Sequence, residues 1–308
     1  PPAPASEQLS SCKRARGTPN THTATVLLRR RKKRRKAQRK QKSKDEALRY
    51  ACQHDDLHQL VFLLSEGANP YSQNRANQSA LFIASAYGHV KVVKILCKGR
   101  LGLQHVRGPS GAYPQHIAAD NGHLACLRAL VEQKMAPTDQ LTFDGRTPLY
   151  MACQSGHADC ARYLIEEAYV NPFMSDKNGV TPLHIATHLG HSTTIDVLLP
   201  IRKEETPVAS VASGNICADT QTRLLARQDC AGYTPLHTAA CLGLSVVCQT
   251  LLDRGANPRI LNDLGRDAVQ VARDMGHHFS ALICGGSLEI LRAVVPSDDM
   301  TQQWSELE

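Results

Sequence analysis

Fourteen histidines and eleven cysteines are the residues of this 308-residue chain best suited to hold a metal or to run acid–base and nucleophilic chemistry. His188 with His191, and His277 with His278, stand close enough to start a metal site. No Cys or carboxylate stands at a companion ligand spacing, so none is completed. Cys153, Cys160, Cys230 and Cys241 have histidines in the same stretches, as a thiolate–imidazole pair would need. A Cys near a His is ordinary when both types are abundant. There is no Gly-x-Ser-x-Gly elbow, no phosphate-cradling glycine loop with Lys, and no His-Glu-x-x-His. The expectation is a chain with no catalytic residues, no metal and no cofactor.

Most of the histidines obey a spacing rule instead. Thr147-Pro148-Leu149-Tyr150-Met151-Ala152, Thr181-Pro182-Leu183-His184-Ile185-Ala186 and Thr234-Pro235-Leu236-His237-Thr238-Ala239 are one phrase written three times. Looser copies start at Ser79 and Tyr113, and a degenerate one at Asp267. The third positions are 81, 115, 149, 183, 236 and 269, separated by 34, 34, 34, 53 and 33 residues. Internal repetition of this period decides the fold before any other feature. His116, His184 and His237 fill the fourth position of the phrase, and His89, His123, His157, His191 and His277 each follow a glycine.

Each unit has a physical reading. Thr caps a helix and Pro occupies its first turn, where the missing N–H would have no partner anyway. Leu and Ala form the inward stripe. Gly88, Gly122, Gly156, Gly190, Gly243 and Gly276, seven residues after each third position, end the helix. A second apolar-periodic helix follows, for instance through Val92, Val93, Ile95 and Leu96. Gly-Ala-Asn-Pro at 67–70 and 255–258 stops it, and Asp144-Gly145, Asn178-Gly179 and Leu264-Gly265 make the next tight turn.

This pattern resembles the ankyrin repeat over about residues 45–284. The resemblance implies an all-α solenoid of about seven helix–loop–helix repeats with β-hairpin fingers, the first (Asp45 to Asn69) atypical and the last degenerate, as caps of a stack are. It also implies that the histidine of the Thr-Pro-Leu-His phrase hydrogen-bonds between neighbouring repeats.

Charge divides the chain. Residues 1–44 hold fifteen Lys/Arg against one acid, Glu7, a net +14; residues 45–308 hold 21 against 27, a net −6. The run Arg29, Arg30, Arg31, Lys32, Lys33, Arg34, Arg35, Lys36, extended by Arg39, Lys40, Lys42 and Lys44, is expected to stay extended, in a disordered arm over 1–44. Its first reading is a nuclear localisation signal held by an import receptor, which places the protein in the nucleus, with shuttling to the cytoplasm left open. Nucleic-acid phosphates are a second reading, compatible with the first. No aromatic lies between Val26 and Arg49, so that contact would be sequence-blind and salt-sensitive. A membrane-surface patch and a merely solvated helix start are the lesser readings.

With 42% apolar and 21% charged residues, most of the chain should be globular. No run of about 18 apolar residues occurs, and Val26-Leu27-Leu28 is too short for a signal-peptide core. The chain opens on Pro1, so a signal upstream stays open. The odd number of cysteines, with no C-x-x-C, reads as buried free thiols in a reducing compartment.

Residues 200–228 form an insertion loop, either a partner finger or a tolerated one. Residues 285–308 give a short C-terminal helix over 287–295 and an acidic tail. That helix faintly resembles the start of a SOCS box, which implies a ubiquitin-ligase adaptor, but no Leu-Pro-Leu-Pro follows.

The ankyrin resemblance places protein partners on finger tips and on the exposed face of the first helices. The finger candidates are Arg75, Tyr113, Phe143, Arg146, Lys177, Tyr233 and Arg266, and the helix candidates are Tyr87, Asp120, Gln154 and His188. Phe143 leads them, because a ring at a finger tip has no core to enter and needs a partner or a neighbouring finger. The reading is a monomeric, non-enzymatic protein-binding scaffold, probed first by where a tagged chain goes in the cell. The alternatives are the ligase adaptor and a scaffold tethered to a membrane surface by the basic arm.

Overall fold

The computed structural model describes residues 21–98, 103–132, 138–200 and 218–286. The chain divides into two compact units, 1–44 and 45–308. The first helix, α1 (Thr21–Gln53), begins in one and ends in the other. The extended arm expected over 29–44 is therefore corrected: those residues are helical, with every one from Arg29 to Ser43 exposed. Arg, Lys, Gln and Ala are strong helix formers. At the far end Leu48, Ala51 and Cys52 are fully buried, so tertiary packing fixes that end and the charged stretch needs only propagation, not nucleation. Residues 1–20 lie outside the described part.

In the second unit α2 (Leu57–Ser65) follows α1. Then come helix pairs: α3 (Ala80–Ala86) with α4 (Val90–Lys98), α5 (Pro114–Asp120) with α6 (Leu124–Glu132), α7 (Pro148–Gln154) with α8 (Ala158–Glu166), and α9 (Pro182–His188) with α10 (Ser192–Leu198). After α11 (Ala218–Leu225) come α12 (Pro235–Cys241) with α13 (Ser245–Asp253), and α14 (Ala268–Asp274) with α15 (His278–Cys284). The first helices stack in one row, α3 to α5 to α7 to α9 to α12 to α14. The row is unbroken at the insertion, since α9 packs directly on α12.

The capping expected of the repeated phrase is present. Thr147 Oγ1 accepts from the Tyr150 amide at 3.1 Å, and Ser79 and Asp267 cap α3 and α14 in the same way. Ala84, Ala118, Ala152, Ala186, Ala239 and Ala272 have no exposed surface, nor do Leu81, Leu149 and Leu183. Alanine lets neighbouring helices approach closely, and each fully buried Leu contributes about 2 kcal/mol.

Two expectations change. Among the described residues there are no strands, and the β-hairpins expected at the fingers are not seen there. The fingers are closed by a backbone bond across five residues, such as Asp176 N to Val180 O and Asp229 N to Tyr233 O, both 3.0 Å, with a second inside the turn from Gly179 N to Asp176 O and from Gly232 N to Asp229 O. The carboxylate of Asp176 also accepts from the amides of Asn178 and Val180, at 2.8 and 3.0 Å. A side chain thus takes the donors that a second strand would have used. Single bonds tie finger to finger: Phe143 N to Ser110 O, Lys177 N to Asp144 O and Cys230 N to Asn178 O, each 3.0 Å.

The insertion loop, for its part, is helical over α11. Its Leu224 and Leu225 are buried, and Gln221 Nε2 donates to Arg254 O at 3.2 Å. Apolar burial turns that stretch from loop into wall. Residues 201–217 and the expected C-terminal helix at 287–295 lie outside the described residues.

One place breaks the repeat's own rule. The turns after α2 and α13 use Gly67 and Gly255, at φ +79° and +91°, before Ala-Asn-Pro. After α8 the same place, before Val170-Asn171-Pro172, holds Tyr169 at φ +53°, with its ring exposed. A left-handed backbone costs a side-chain-bearing residue about 1–2 kcal/mol, partly offset by the greater unfolded-state freedom of glycine. Tyr169→Gly is therefore expected to stabilise by about 0.5–1 kcal/mol in urea unfolding. A loss of stability would mean the ring is held by packing.

Candidate partner-binding surface

The fingers and the ends of the first helices are held in place mainly by histidines, in two sets. In the first set, His184 Nδ1 lies 2.7 Å from Thr181 Oγ1 and accepts from the Thr181 amide, while its Nε2 reaches Tyr233 O at 2.9 Å in the next finger. His116 reaches Arg146 O at 3.1 Å and His237 reaches Arg266 O at 3.2 Å in the same way. Accepting at Nδ1 and donating at Nε2 requires the neutral ring. Burial does the same electrostatically: it lowers all three below the usual histidine value, against the opposing pull of the carbonyl bonds, and takes His116 to about 4.

The second set follows the glycines. His89, His123 and His191 place Nε2 at 2.9, 3.0 and 3.1 Å from the carbonyls of Gln53, Ala86 and Gln154, each at the end of the preceding unit's first helix. Those carbonyls have no helical partner, so the next unit's histidine supplies one. These six histidines are thus mortar between units. Among the described residues no group of three or more His, Cys, Asp or Glu is placed to hold a metal.

The thiols point the same way. Cys52, Cys97, Cys126, Cys153, Cys160, Cys248 and Cys284 are buried and free. Burial pushes Cys52 up to about 12, Cys97 and Cys160 up to about 11, and Cys153 higher still, away from nucleophilic thiolate. Cys230 is exposed and Cys241 half-buried.

The candidate partner residues sort by exposure. Arg75, Tyr87, Phe143, Lys177, His188 and Arg266 are exposed, and Arg29 to Lys36 are exposed along α1. Tyr87 accepts a hydrogen bond from Gln53 at 3.1 Å, and Arg266 pairs with Asp274 at 2.5 Å. Asp120, Arg146, Gln154 and Tyr233 are half-buried, and Gln154 Oε1 and Arg146 Nε are buried there without a hydrogen-bond partner among the described residues. Asp120 accepts from Ser155 Oγ at 2.7 Å, and the Arg146 guanidinium lies 5.5 Å over the Tyr150 ring.

Tyr113 is a correction. It is 9% exposed, because it stands in the capping position of α5 and its hydroxyl accepts from Arg107 Nε at 2.8 Å.

Phe143 is the focus of this surface. It is 57% exposed at its finger tip, yet partly engaged: a Cβ on Gly111 of the previous finger would come within 2.7 Å of its ring. The Arg107 guanidinium sits 5.3 Å over Phe143 and 5.3 Å over Tyr113, bridging two fingers. Neither alternative for Phe143, neighbour or partner, is exclusive. One face of the ring has a neighbour and the rest is open.

Arg107 was not legible as a site residue, since it lies between the repeated phrases. Leu189, Leu242 and Met275 were also missed. They are exposed apolar residues immediately before the helix-ending glycines, the place Tyr87 holds in α3's unit. That shared place was a readable signal.

Among the described residues no helix is long and apolar enough to cross a membrane. A family model described as "Ankyrin repeats (3 copies)" matches residues 15–105, 48–141, 100–173, 115–206 and 174–262. Two curated relatives match shorter pieces. XBAT34 of Arabidopsis thaliana, a protein named for an E3 ubiquitin-protein ligase activity, is 49% identical over 51 residues, 17% of this chain and 14% of its own length. "Dauer abnormal formation protein 25" of Caenorhabditis elegans is 38% identical over 58 residues, 19% of this chain and 15% of its own. The chain thus spans about one seventh of either relative. Capped helix pairs, stacked first helices, histidine bridges and a family match running from 15 to 262 agree: the chain belongs to the ankyrin-repeat family.

Proposed function

We propose that this protein is a non-enzymatic scaffold that binds a partner protein along its fingers and first-helix ends. The repeats number seven, and the chain works in the nucleus, carried there by Arg29–Lys36. The observation that carries the binding reading is Phe143, a 57% exposed ring fixed from behind by Gly111 and Arg107. A pre-positioned aromatic beside an arginine buries area on binding with little loss of side-chain freedom. Proximity capture from cells should therefore show a set of proteins depleted at least tenfold by Phe143→Asp, with the melting temperature unchanged. An identical set would remove Phe143 from the interface.

The nuclear part has its own measurement. A tagged chain is expected in the nucleus, and the same chain with Arg29–Lys36 changed to Ala in the cytoplasm. A cytoplasmic or membrane signal from the intact chain would sink that part alone.

A second reading, a ubiquitin-ligase adaptor working through 287–295, draws support from the name of one relative matched over 17% of the chain. Co-precipitation of Elongin B/C, lost on Leu288→Asp, would favour it.

A further inference from the structure

The basic stretch of α1 has a geometry that its composition alone does not. From residue 29 to 44 there are twelve Lys and Arg, no acid, and Ala37 as the one apolar residue. All sixteen residues are helical, and Arg29 to Ser43 are exposed. Eight consecutive bases fill more than two turns at 3.6 residues each, so cationic side chains leave the helix in every direction. A flat anionic surface meets only one side of such a rod. A membrane would also want an apolar face, which Ala37 does not make. A polyanion that walls the rod on two sides meets more of it.

The major groove of B-form DNA is about 12 Å wide and walled by two rows of phosphates, and an α-helix with its side chains is about 10–12 Å across. Sixteen residues at about 1.5 Å each span about 24 Å, the length of about seven base pairs. We propose that residues 29–44 of α1 bind duplex DNA as a preformed helix seated in the major groove, holding phosphates of both strands without selecting sequence. The helix carries its own reason to bind. Seven like-charged pairs stand four residues apart, from Arg29/Lys33 to Lys40/Lys44, and each opposes the helix until phosphates neutralise it. Its end in the repeat core, at Leu48, Ala51 and Cys52, keeps it formed meanwhile. The deep, narrow major groove of A-form RNA does not admit such a rod.

The test uses the full chain and fluorescence anisotropy with a labelled 20-base-pair DNA duplex. Binding is expected to be equal within threefold for shuffled sequences. If about half of the twelve bases meet phosphates, it should weaken about a thousandfold between 50 and 200 mM salt. An RNA duplex of the same length should bind at least tenfold more weakly, and Arg29–Lys36 changed to Ala should lose DNA altogether. The decisive variant keeps every charge: Gln38→Pro breaks the helix in the middle of the basic stretch. It should cost at least tenfold in affinity, while Gln38→Ala costs nothing and the repeats melt unchanged in both. Equal binding by Gln38→Pro, or equal binding of RNA, would overturn the groove-seated helix. Tighter retention on vesicles of 30% phosphatidylserine at 150 mM salt would overturn DNA as the ligand.

Discussion

Gly156→Ala is expected to lower stability by about 3 kcal/mol, and Gly190→Ala by only about 1. Both glycines end a first helix in the left-handed region, at φ +74° and +70°, where a side chain costs about 1–2 kcal/mol. They differ in what a Cβ would meet. At Gly156 it would lie 2.9 Å from His191 Nδ1 and 3.0 Å from Cε1, whereas at Gly190 nothing comes within 4 Å. The His191 ring is tied to Gln154 O at 3.1 Å, so making room breaks a bond between units and orphans a helix-end carbonyl. Urea unfolding gives the two losses, and hydrogen exchange should place the larger one in α7 to α10. Equal losses would mean that the backbone term is the whole effect and that the histidine yields freely.

Acid should weaken the stack well above the pH at which carboxylates protonate. His116, His184 and His237 are neutral in the folded chain and have lowered values there, while the unfolded chain takes up their protons near the ordinary 6.5. The unfolded state therefore binds more protons below pH 6.5, and stability falls as pH falls. For His116, with a folded value of about 4, the loss is about 2 kcal/mol at pH 5 and about 3 near pH 4, where it levels off. The melting temperature followed from pH 7.5 to 4 should drop most steeply across that window. His116→Gln should start less stable and lose less on acidification. A profile flat down to pH 4.5 would mean that these rings are already charged or already wet.

Much of this was legible in the sequence because it is written in local spacing. The start of α7 follows from Thr147-Pro148 and its end from Gly156, all within one short helix. The role of six histidines was legible too, since a histidine placed by the repeat period serves the repeat. What misled the reading of residues 29–44 was treating like charge as decisive for conformation. The repulsion is real, but those residues have high helix propensity and continue into a packed segment, and each repulsive pair costs only a few tenths of a kcal/mol. The fingers misled in the other direction, since a turn signal says where the chain reverses and not whether paired strands follow. At Asp176 and Asp229 one carboxylate takes the donors and no strand forms.

The sequence by itself determined the paired helices of the repeats and their caps, because each depends on residues within about four of one another, and the recurrence of that short pattern determined the class of the fold. Only the tertiary structure decided which polar residues are mortar and which are surface. Tyr113 is buried and Phe143 exposed, though both were read as finger residues, because the fate of each is set by what packs on it: Arg107 of its own finger bonded to one, and the bare backbone of Gly111 in the previous finger beneath the other. For Phe143 the contact crosses two units, and a contact made 32 residues away along the chain leaves no mark in the local pattern.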